Sequence, residues 1–242
     1  MEILLLLSLA FIAFCYSAVG HGGASGYIAV FALFGLISND MKSFVLFMNL
    51  GVAMLSFYHY FKQGFFSWKY FLPFGLGAAP MAYIGASLEL DTSKYKFLLA
   101  LFLFFSVIYL LGIFKHFDER FKIQFTFLKA LLIAILLGFI AGITGVGGGI
   151  FLSPILLIFG WQNVKQTAGI SALFIVVNSF AGLIAMNNFS LFLNNAFALK
   201  LIVTLIFGYL GSQWGCKLEN TTFLKKLLAF VLMIAGLKLL LI

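Results

Sequence analysis

The chain has 242 residues, of which 64% are hydrophobic and only 9% are charged, whereas soluble domains carry about 25% charged residues. A water-soluble fold cannot bury this much apolar surface, but a bilayer covers the outward faces of helices that cross it. The net charge of +8 comes from basic residues that lie mostly between apolar runs or at their ends, which is typical of interfacial anchors and argues against nucleic-acid binding.

Eight apolar runs have the length needed to cross a bilayer, which is about 20 residues. In chain order they cover residues 2–19, 43–61, 69–88, 95–114, 127–143, 168–186, 196–216 and 223–241. The first run follows Met1 without a basic segment, so we interpret it as a span rather than a cleaved signal peptide. Two shorter stretches, 27–37 and 149–160, follow the first and fifth runs across glycine clusters. Each is interpreted as the second part of a broken helix or as one arm of a re-entrant segment.

A polar segment near the midpoint separates two halves of the chain. We predict a first transmembrane repeat at 1–114, a polar linker at 115–126 and a second repeat at 127–242, which together form one integral membrane domain. An even number of spans per half would make the repeats parallel, and an extra re-entrant crossing would make them inverted, so the sequence leaves both arrangements open. The basic residues of the linker favour a cytoplasmic linker and N-terminus.

The two halves share residues in a consistent register. At an offset of 125, glycines of the first half fall on glycines of the second: Gly20, Gly22, Gly23 and Gly35 on Gly145, Gly147, Gly148 and Gly160. At an offset of 129, Asn49 falls on Asn178, and an insertion of four residues near 161–166 accounts for both registers. The sequence therefore predicts an all-α polytopic membrane protein with about eight transmembrane helices in two four-span pseudo-repeats, whose first and fifth helices are broken at glycine clusters.

The strongest local pattern is a run of five glycines within eight positions, from Gly142 to Gly149, followed by Pro154. Each glycine costs a helix interior roughly 1 kcal/mol relative to alanine, so a continuous helix is not expected there. A helix that restarts near Ile150 would point its positive dipole end and its free N–H groups into the membrane interior, which favours an anion. The segment Gly20–Gly26 occupies the equivalent place in the first half.

Close helix packing is the alternative interpretation of these glycines. Several pairs have the spacing of four residues that lets membrane helices approach each other: Gly138 and Gly142, Gly145 and Gly149, Gly22 and Gly26, and Gly211 and Gly215. We favour packing for the last pair, and a functional interruption for the two clusters, because the clusters occur in both halves.

Polar residues inside the apolar runs are further candidates. Asn49 and Asn178 each lie within a span, where an unpaired amide is costly, so both are expected to face the interior of the helix bundle. Ser171 lies seven residues before Asn178 and therefore on the same helix face. For these residues, hydrogen bonding between helices and contact with a substrate both remain open. His21 lies within the first glycine cluster, where an imidazole can donate to an anion, carry a proton or be structural.

Other kinds of chemistry have little support in the sequence. The two cysteines, Cys15 and Cys216, lie in apolar stretches and are interpreted as packing residues. No set of metal ligands or pair of catalytic carboxylates is evident. We therefore predict no metal, no cofactor, no catalytic residue and no enzymatic activity.

The second half carries a pattern that extends beyond the glycines. Gly145-Val146-Gly147-Gly148-Gly149 with Pro154 is followed by the segment 166–171, Gln-Thr-Ala-Gly-Ile-Ser, and by Asn178-Ser179. With these motifs the chain resembles the TauE/SafE sulfite-exporter family, also called the four-span permease (TSUP) family, over its whole length. The resemblance implies transport of small sulfur-containing anions such as sulfite, sulfoacetate or related organosulfonates.

The predicted function is export of such an anion through a bacterial inner membrane. Its predicted substrate-binding residues come from both halves: Gly20, His21, Gly22, Gly23, Asn49, Gly145, Gly147, Gly148, Gly149, Ser171 and Asn178. Expected partners are the small anion and membrane lipid, and a homo-oligomer is compatible with the composition. The alternatives are a membrane scaffold or assembly protein, in which the glycines only permit packing, and an anion channel.

Overall fold

The computed structural model describes residues 1–36, 41–88, 123–187 and 195–220, together with positions 97, 100, 101, 103–108, 111, 222, 226, 230, 233 and 237. All regular structure in this part of the chain is helical. The helices are α1 (Glu2–Ser17), α2 (Ala24–Leu33), α3 (Met41–Lys62), α4 (Trp68–Ala86), α5 (Phe127–Thr144), α6 (Gly149–Ile158), α7 (Val164–Met186) and α8 (Asn195–Gly215). Half of the predicted span at 95–114, most of the span at 223–241, and linker residues 115–122 lie outside the described residues.

The length of the helices and the apolar character of their outward-facing side chains identify a membrane protein. Four described helices are long and apolar enough to cross a bilayer: Met41–Lys62, Phe127–Thr144, Val164–Met186 and Phe197–Gly215. Large apolar side chains also face outward, as on α5, where Leu132 and Leu136 are 59% and 60% exposed. Water would not stabilise such a surface, whereas lipid does. The prediction of a multi-pass, all-helical membrane protein is confirmed.

Helices α3 and α7 form the central pair of the bundle, and they run antiparallel. Near the start of α3, Leu46 lies closest to Gly182, which is near the end of α7. Further along α3, the amide of Asn49 bonds to Ser179. Near the end of α3, the side chain of Tyr60 lies beside Gly169, in the second turn of α7. The two helices therefore lie side by side over most of their length.

Each of the remaining long helices runs in the same direction as either α3 or α7. Helix α8 runs parallel to α3, because Gly51 lies against Leu205 and His59 bonds to Ser212. Helix α1 runs parallel to α8 in turn, with the carbonyl groups of Phe14 and Ala18 beside Gly211 and Gly215, respectively. Helices α4 and α5 run parallel to α7. The bundle thus contains two sets of helices that point in opposite directions.

Glycines allow the closest contacts within each set. A Cβ atom at Gly138 or Gly142 would meet the backbone of Ala78 or Ala82 on α4. A Cβ atom at Gly211 or Gly215 would likewise meet the backbone at the end of α1. Their spacing of four residues places each pair on one helix face, which is the arrangement that permits close approach in membranes. The packing interpretation of Gly211 and Gly215 is confirmed.

Candidate functional site

The first glycine segment separates two helices that lie against each other. Helix α1 ends at Ser17 and α2 begins at Ala24. Between them, Gly20 and Gly23 have φ angles of +78° and +103°, which only glycine adopts without strain. Helix α2 then turns back along α1, because the Tyr16 hydroxyl lies 2.8 Å from Ser25 Oγ, and Ile12 lies beside Gly26. Helix α2 therefore runs opposite to α1.

The second glycine segment has the same form in the other half of the chain. Helix α5 ends at Thr144 and α6 begins at Gly149. The intervening Gly145, Gly147 and Gly148 have φ angles of +69°, +74° and +79°. Helix α6 then runs antiparallel to α7, because Gly149 lies against Ile175 while Ser153 lies 2.8 Å from Ser171. Since α7 and α5 share a direction, α6 runs opposite to α5.

Asn49 on α3 lies where the starts of α2 and α6 meet. Its Oδ1 accepts a hydrogen bond of 3.1 Å from the backbone N–H of Ala24, the first residue of α2. Its Nδ2 donates to Ser179 Oγ at 2.9 Å, and a Cβ atom at Gly147 would overlap this same amide nitrogen. A Cβ atom at Gly22 would meet the amide from the other side. One buried asparagine thus touches both glycine segments.

The two helix starts are rich in hydrogen-bond donors. Gly23 and Gly148 are the N-cap residues of α2 and α6, and a glycine has no side chain with which to cap the first turn. Helix α2 extends from Asn49 towards the start of α3, and α6 extends towards its end. The positive ends of both helix dipoles therefore lie near Asn49 in the middle of the bundle.

Asn178 contributes a second buried amide beside the same segment. Its Nδ2 donates to the Gly147 carbonyl at 3.4 Å and lies near Gly148. Asn178 is only 2% exposed, and its Oδ1 has no hydrogen-bond partner among the described residues. A buried acceptor without a partner is unusual in a folded protein and marks a place where a further hydrogen-bond donor fits.

A second polar cluster joins the two halves on the α6 side of Asn49. His21 Nδ1 lies 3.0 Å from the Val19 carbonyl, and its Nε2 lies 3.1 Å from Ser153 Oγ. Because a carbonyl only accepts, Nδ1 carries a proton, and the neutral ring then offers Nε2 as an acceptor. Ser153 Oγ also lies 3.0 Å from the Gly149 carbonyl and 2.8 Å from Ser171 Oγ. Ser153 thus connects the first glycine segment to α7.

The structure brings most of the predicted site residues together, in two groups. Around the two asparagines lie residues that directly precede the short helices: Gly22, Gly147 and Gly148. His21 and Ser171 meet through Ser153, and Gly149 lies beside this second group. The remaining predicted glycines have other neighbours: Ala168 at Gly20, the Tyr27 ring at Gly23 and the Lys42 side chain at Gly145.

Sequence reasoning missed two residues of this region. Ser153 is the only hydroxyl residue of the apolar stretch 149–160, and this was the signal that could have identified it. Lys42 directly precedes the apolar run 43–61 and by sequence resembles the other basic residues at the ends of runs, yet its aliphatic stem lies against Gly145. The position of Lys42 becomes informative only once the packing of α3 against the second glycine segment is known.

The described residues of the site carry few charged groups. Two of the seven acidic residues of the chain, Glu2 and Glu219, are described, and both are exposed. No group of three potential metal ligands occurs among the described residues. Backbone N–H groups, two amides and serine hydroxyls remain, and these can hold an anion reversibly by hydrogen bonds.

We expect Ser153→Ala to destabilise the protein, because it removes the atom shared by His21 and Ser171. Leaving buried partners without their hydrogen bond should lower the free energy of unfolding by about 1–3 kcal/mol. Ser87→Ala is the matched control, since Ser87 Oγ lies 2.9 Å from the carbonyl oxygen four residues earlier, much as Ser153 Oγ does at 3.0 Å, but Ser87 is exposed. Thermal unfolding in detergent compares the two variants, and an equal loss in both would contradict a bridging role for Ser153.

Comparisons with known proteins agree with a transporter. The family model described as "Sulfite exporter TauE/SafE" matches residues 5–239. "Probable membrane transporter protein y4hK" of Sinorhizobium fredii is 34% identical over 242 residues, which cover 97% of each chain. "Probable membrane transporter protein MJ0441" of Methanocaldococcus jannaschii is 28% identical over 145 residues, which cover 59% of this chain and 52% of that protein. No solved structure matches the chain. The chain therefore belongs to the sulfite exporter TauE/SafE family of membrane transporters.

Proposed function

We propose that the protein exports a small organosulfur or sulfur oxyanion, such as sulfite or sulfoacetate, through a site centred on Asn49 and Asn178. The observation that carries the proposal is the meeting, at one buried asparagine, of two helix starts whose own N-cap residues are glycines. The site comprises the residues predicted from the sequence: Gly20, His21, Gly22, Gly23, Asn49, Gly145, Gly147, Gly148, Gly149, Ser171 and Asn178. Backbone N–H groups supply the donors for the anion, and the asparagines hold the two glycine segments in place.

We further propose that the eight-span arrangement consists of two repeats of inverted topology. At the register offsets found in the sequence, α1 corresponds to α5 and α3 corresponds to α7. The members of each pair run in opposite directions, which supports inversion. Inverted repeats place a substrate site near the bilayer midplane, between discontinuous helices, and permit access from either side in turn. The polar cluster of Ser153 lies at this boundary between the repeats.

Export is the proposed direction because of the membrane potential. In a bacterial inner membrane that is negative inside, the potential favours outward movement of a monoanion by about 2.3 kcal/mol per 100 mV. The two described carboxylates are exposed, and the site needs no carboxylate proton relay for this direction. An anion moving outward requires no second ion.

Anion flux into proteoliposomes tests the proposal. The panel contains sulfite, thiosulfate, sulfoacetate, acetate and chloride, each with and without an imposed membrane potential or pH gradient. We expect saturable flux of the sulfur anions that increases when the potential favours their movement. Flux that does not saturate would indicate the channel alternative, and absence of flux for the whole panel, with the protein folded and inserted, would favour the scaffold.

A further inference from the structure

Lys42 lies at the edge of the proposed site, on the side where α3 begins. It is the second residue of α3 and is half-buried. Its stem lies along the second glycine segment, because a Cβ atom at Gly145 would be 2.7 Å from Lys42 Cγ and 3.5 Å from Lys42 Cε. A side chain on Gly145 would therefore displace the lysine. The geometry places a cation beside the first residue of that segment.

The same helix connects this cation to the centre of the site. Asn49 follows Lys42 by seven residues, so the two side chains lie on one face of α3, about 10 Å apart along its axis. Both contact the same glycine segment, Lys42 at Gly145 and Asn49 at Gly147. An anion held at the ammonium of Lys42 would therefore have the amide of Asn49 as the next polar group on this face of α3.

The charge of Lys42 is not compensated by a described carboxylate. Neither of the two described acidic residues, Glu2 and Glu219, forms an ion pair with it. An ionisable side chain in a membrane helix is costly and is usually retained for function. A structural alternative exists, because Lys42 lies near the C-terminus of α5, where the helix dipole favours a cation.

The proposed repeats differ at this position. At the offset of 129 that pairs Asn49 with Asn178, Lys42 pairs with Ser171, which is neutral and bonded to Ser153. One end of the proposed pathway therefore carries a fixed positive charge, and its counterpart in the other repeat carries a hydroxyl. The two repeats therefore differ at this position in the group that an anion would meet.

We propose that Lys42 forms a capture site for small oxyanions. This site binds the anion at the edge of the proposed site, beside Gly145, before the anion reaches Asn49. This inference rests on the proposed transport function. A fixed cation at this edge raises the local concentration of anions and stabilises the initial complex between the anion and the protein. Salt weakens both effects. The ligands that fit are sulfite, thiosulfate and short sulfonates, in which negative charge is concentrated on oxygen atoms.

Sulfite flux by Lys42→Gln in proteoliposomes tests the proposal. We expect KM to rise about tenfold with a smaller change in kcat, because the substitution removes charge from the approach and leaves the amides in place. Raising the ionic strength should increase the KM of the unaltered protein and should have little effect on the variant. Lys62→Gln is the matched control, since Lys62 lies at the opposite end of α3 and is exposed. Its KM should remain unchanged.

Lys42→Arg separates charge from packing at the end of α5. The arginine should restore most of the lost affinity, and sulfite should raise the unfolding temperature of this variant at concentrations about tenfold lower than those that Lys42→Gln needs. Equal KM values for the unaltered protein and Lys42→Gln would overturn the capture site while leaving transport intact. Absence of sulfite flux in the unaltered protein would instead refute the proposed function itself.

Discussion

Gly147→Ala is expected to lower anion flux by about 100-fold, the loss that a small misplacement of binding groups produces. Gly147 has a φ angle of +74°, and its added methyl group would overlap Asn49 Nδ2 and lie 3.0 Å from Ser179 Oγ. The substitution therefore separates the second glycine segment from the asparagine that joins it to α2. Sulfite flux per inserted protein in proteoliposomes measures the effect.

Gly64→Ala is the control for backbone strain alone. Gly64 has a φ angle of +77°, nearly that of Gly147, but a Cβ atom there would meet nothing within 4 Å. Both variants bear a left-handed alanine that costs roughly 1–2 kcal/mol, and only Gly147→Ala has the steric overlap. We expect Gly64→Ala to retain flux. Equal flux in both variants would contradict the proposed site. If the unaltered protein shows no flux and Gly147→Ala fails to fold, the result would favour a scaffold.

Asn49→Asp is expected to abolish anion flux almost completely while the protein remains inserted. The replacement has nearly the same size, and its carboxylate can still accept the hydrogen bond from the Ala24 N–H. It cannot donate to Ser179, and it places a negative charge where the two helix starts converge. That negative charge would interact with the positive ends of the two helix dipoles in place of the substrate, and it would repel an approaching anion. Flux measured across a range of sulfite concentrations tests this expectation.

Asn163→Asp is the control that makes the same chemical change away from the site. Asn163 is the exposed N-cap of α7, where its side chain accepts from the Gln166 N–H, and an aspartate caps a helix equally well. We expect its flux to match that of the unaltered protein. Retention of normal flux by Asn49→Asp would show that the anion does not pass this asparagine.

Much of the helical structure could be predicted because its signals are local. The apolar run 43–61 matches α3, Met41–Lys62, and the run 127–143 matches α5, Phe127–Thr144. Helix α7 begins at Val164, four residues before the predicted run at 168–186, because Asn163 and Gln166 form a capping box that hydropathy does not detect. Polar residues of a first turn are easily excluded from an apolar run, so hydropathy places the start of α7 too late.

The sequence by itself determined that the chain is a multi-pass membrane protein, that it resembles sulfite exporters, and that glycines cluster beside two short apolar stretches. Hydropathy and glycine content are properties of neighbouring residues, so they can be read without a fold. Only the tertiary structure decided that α2 and α6 turn back and that both begin at Asn49. The bonds from Asn49 to Ser179 and from His21 to Ser153 span 130 and 132 residues. Such pairings depend on how distant helices pack, because each buried amide or hydroxyl finds its partner only after the helices have assembled.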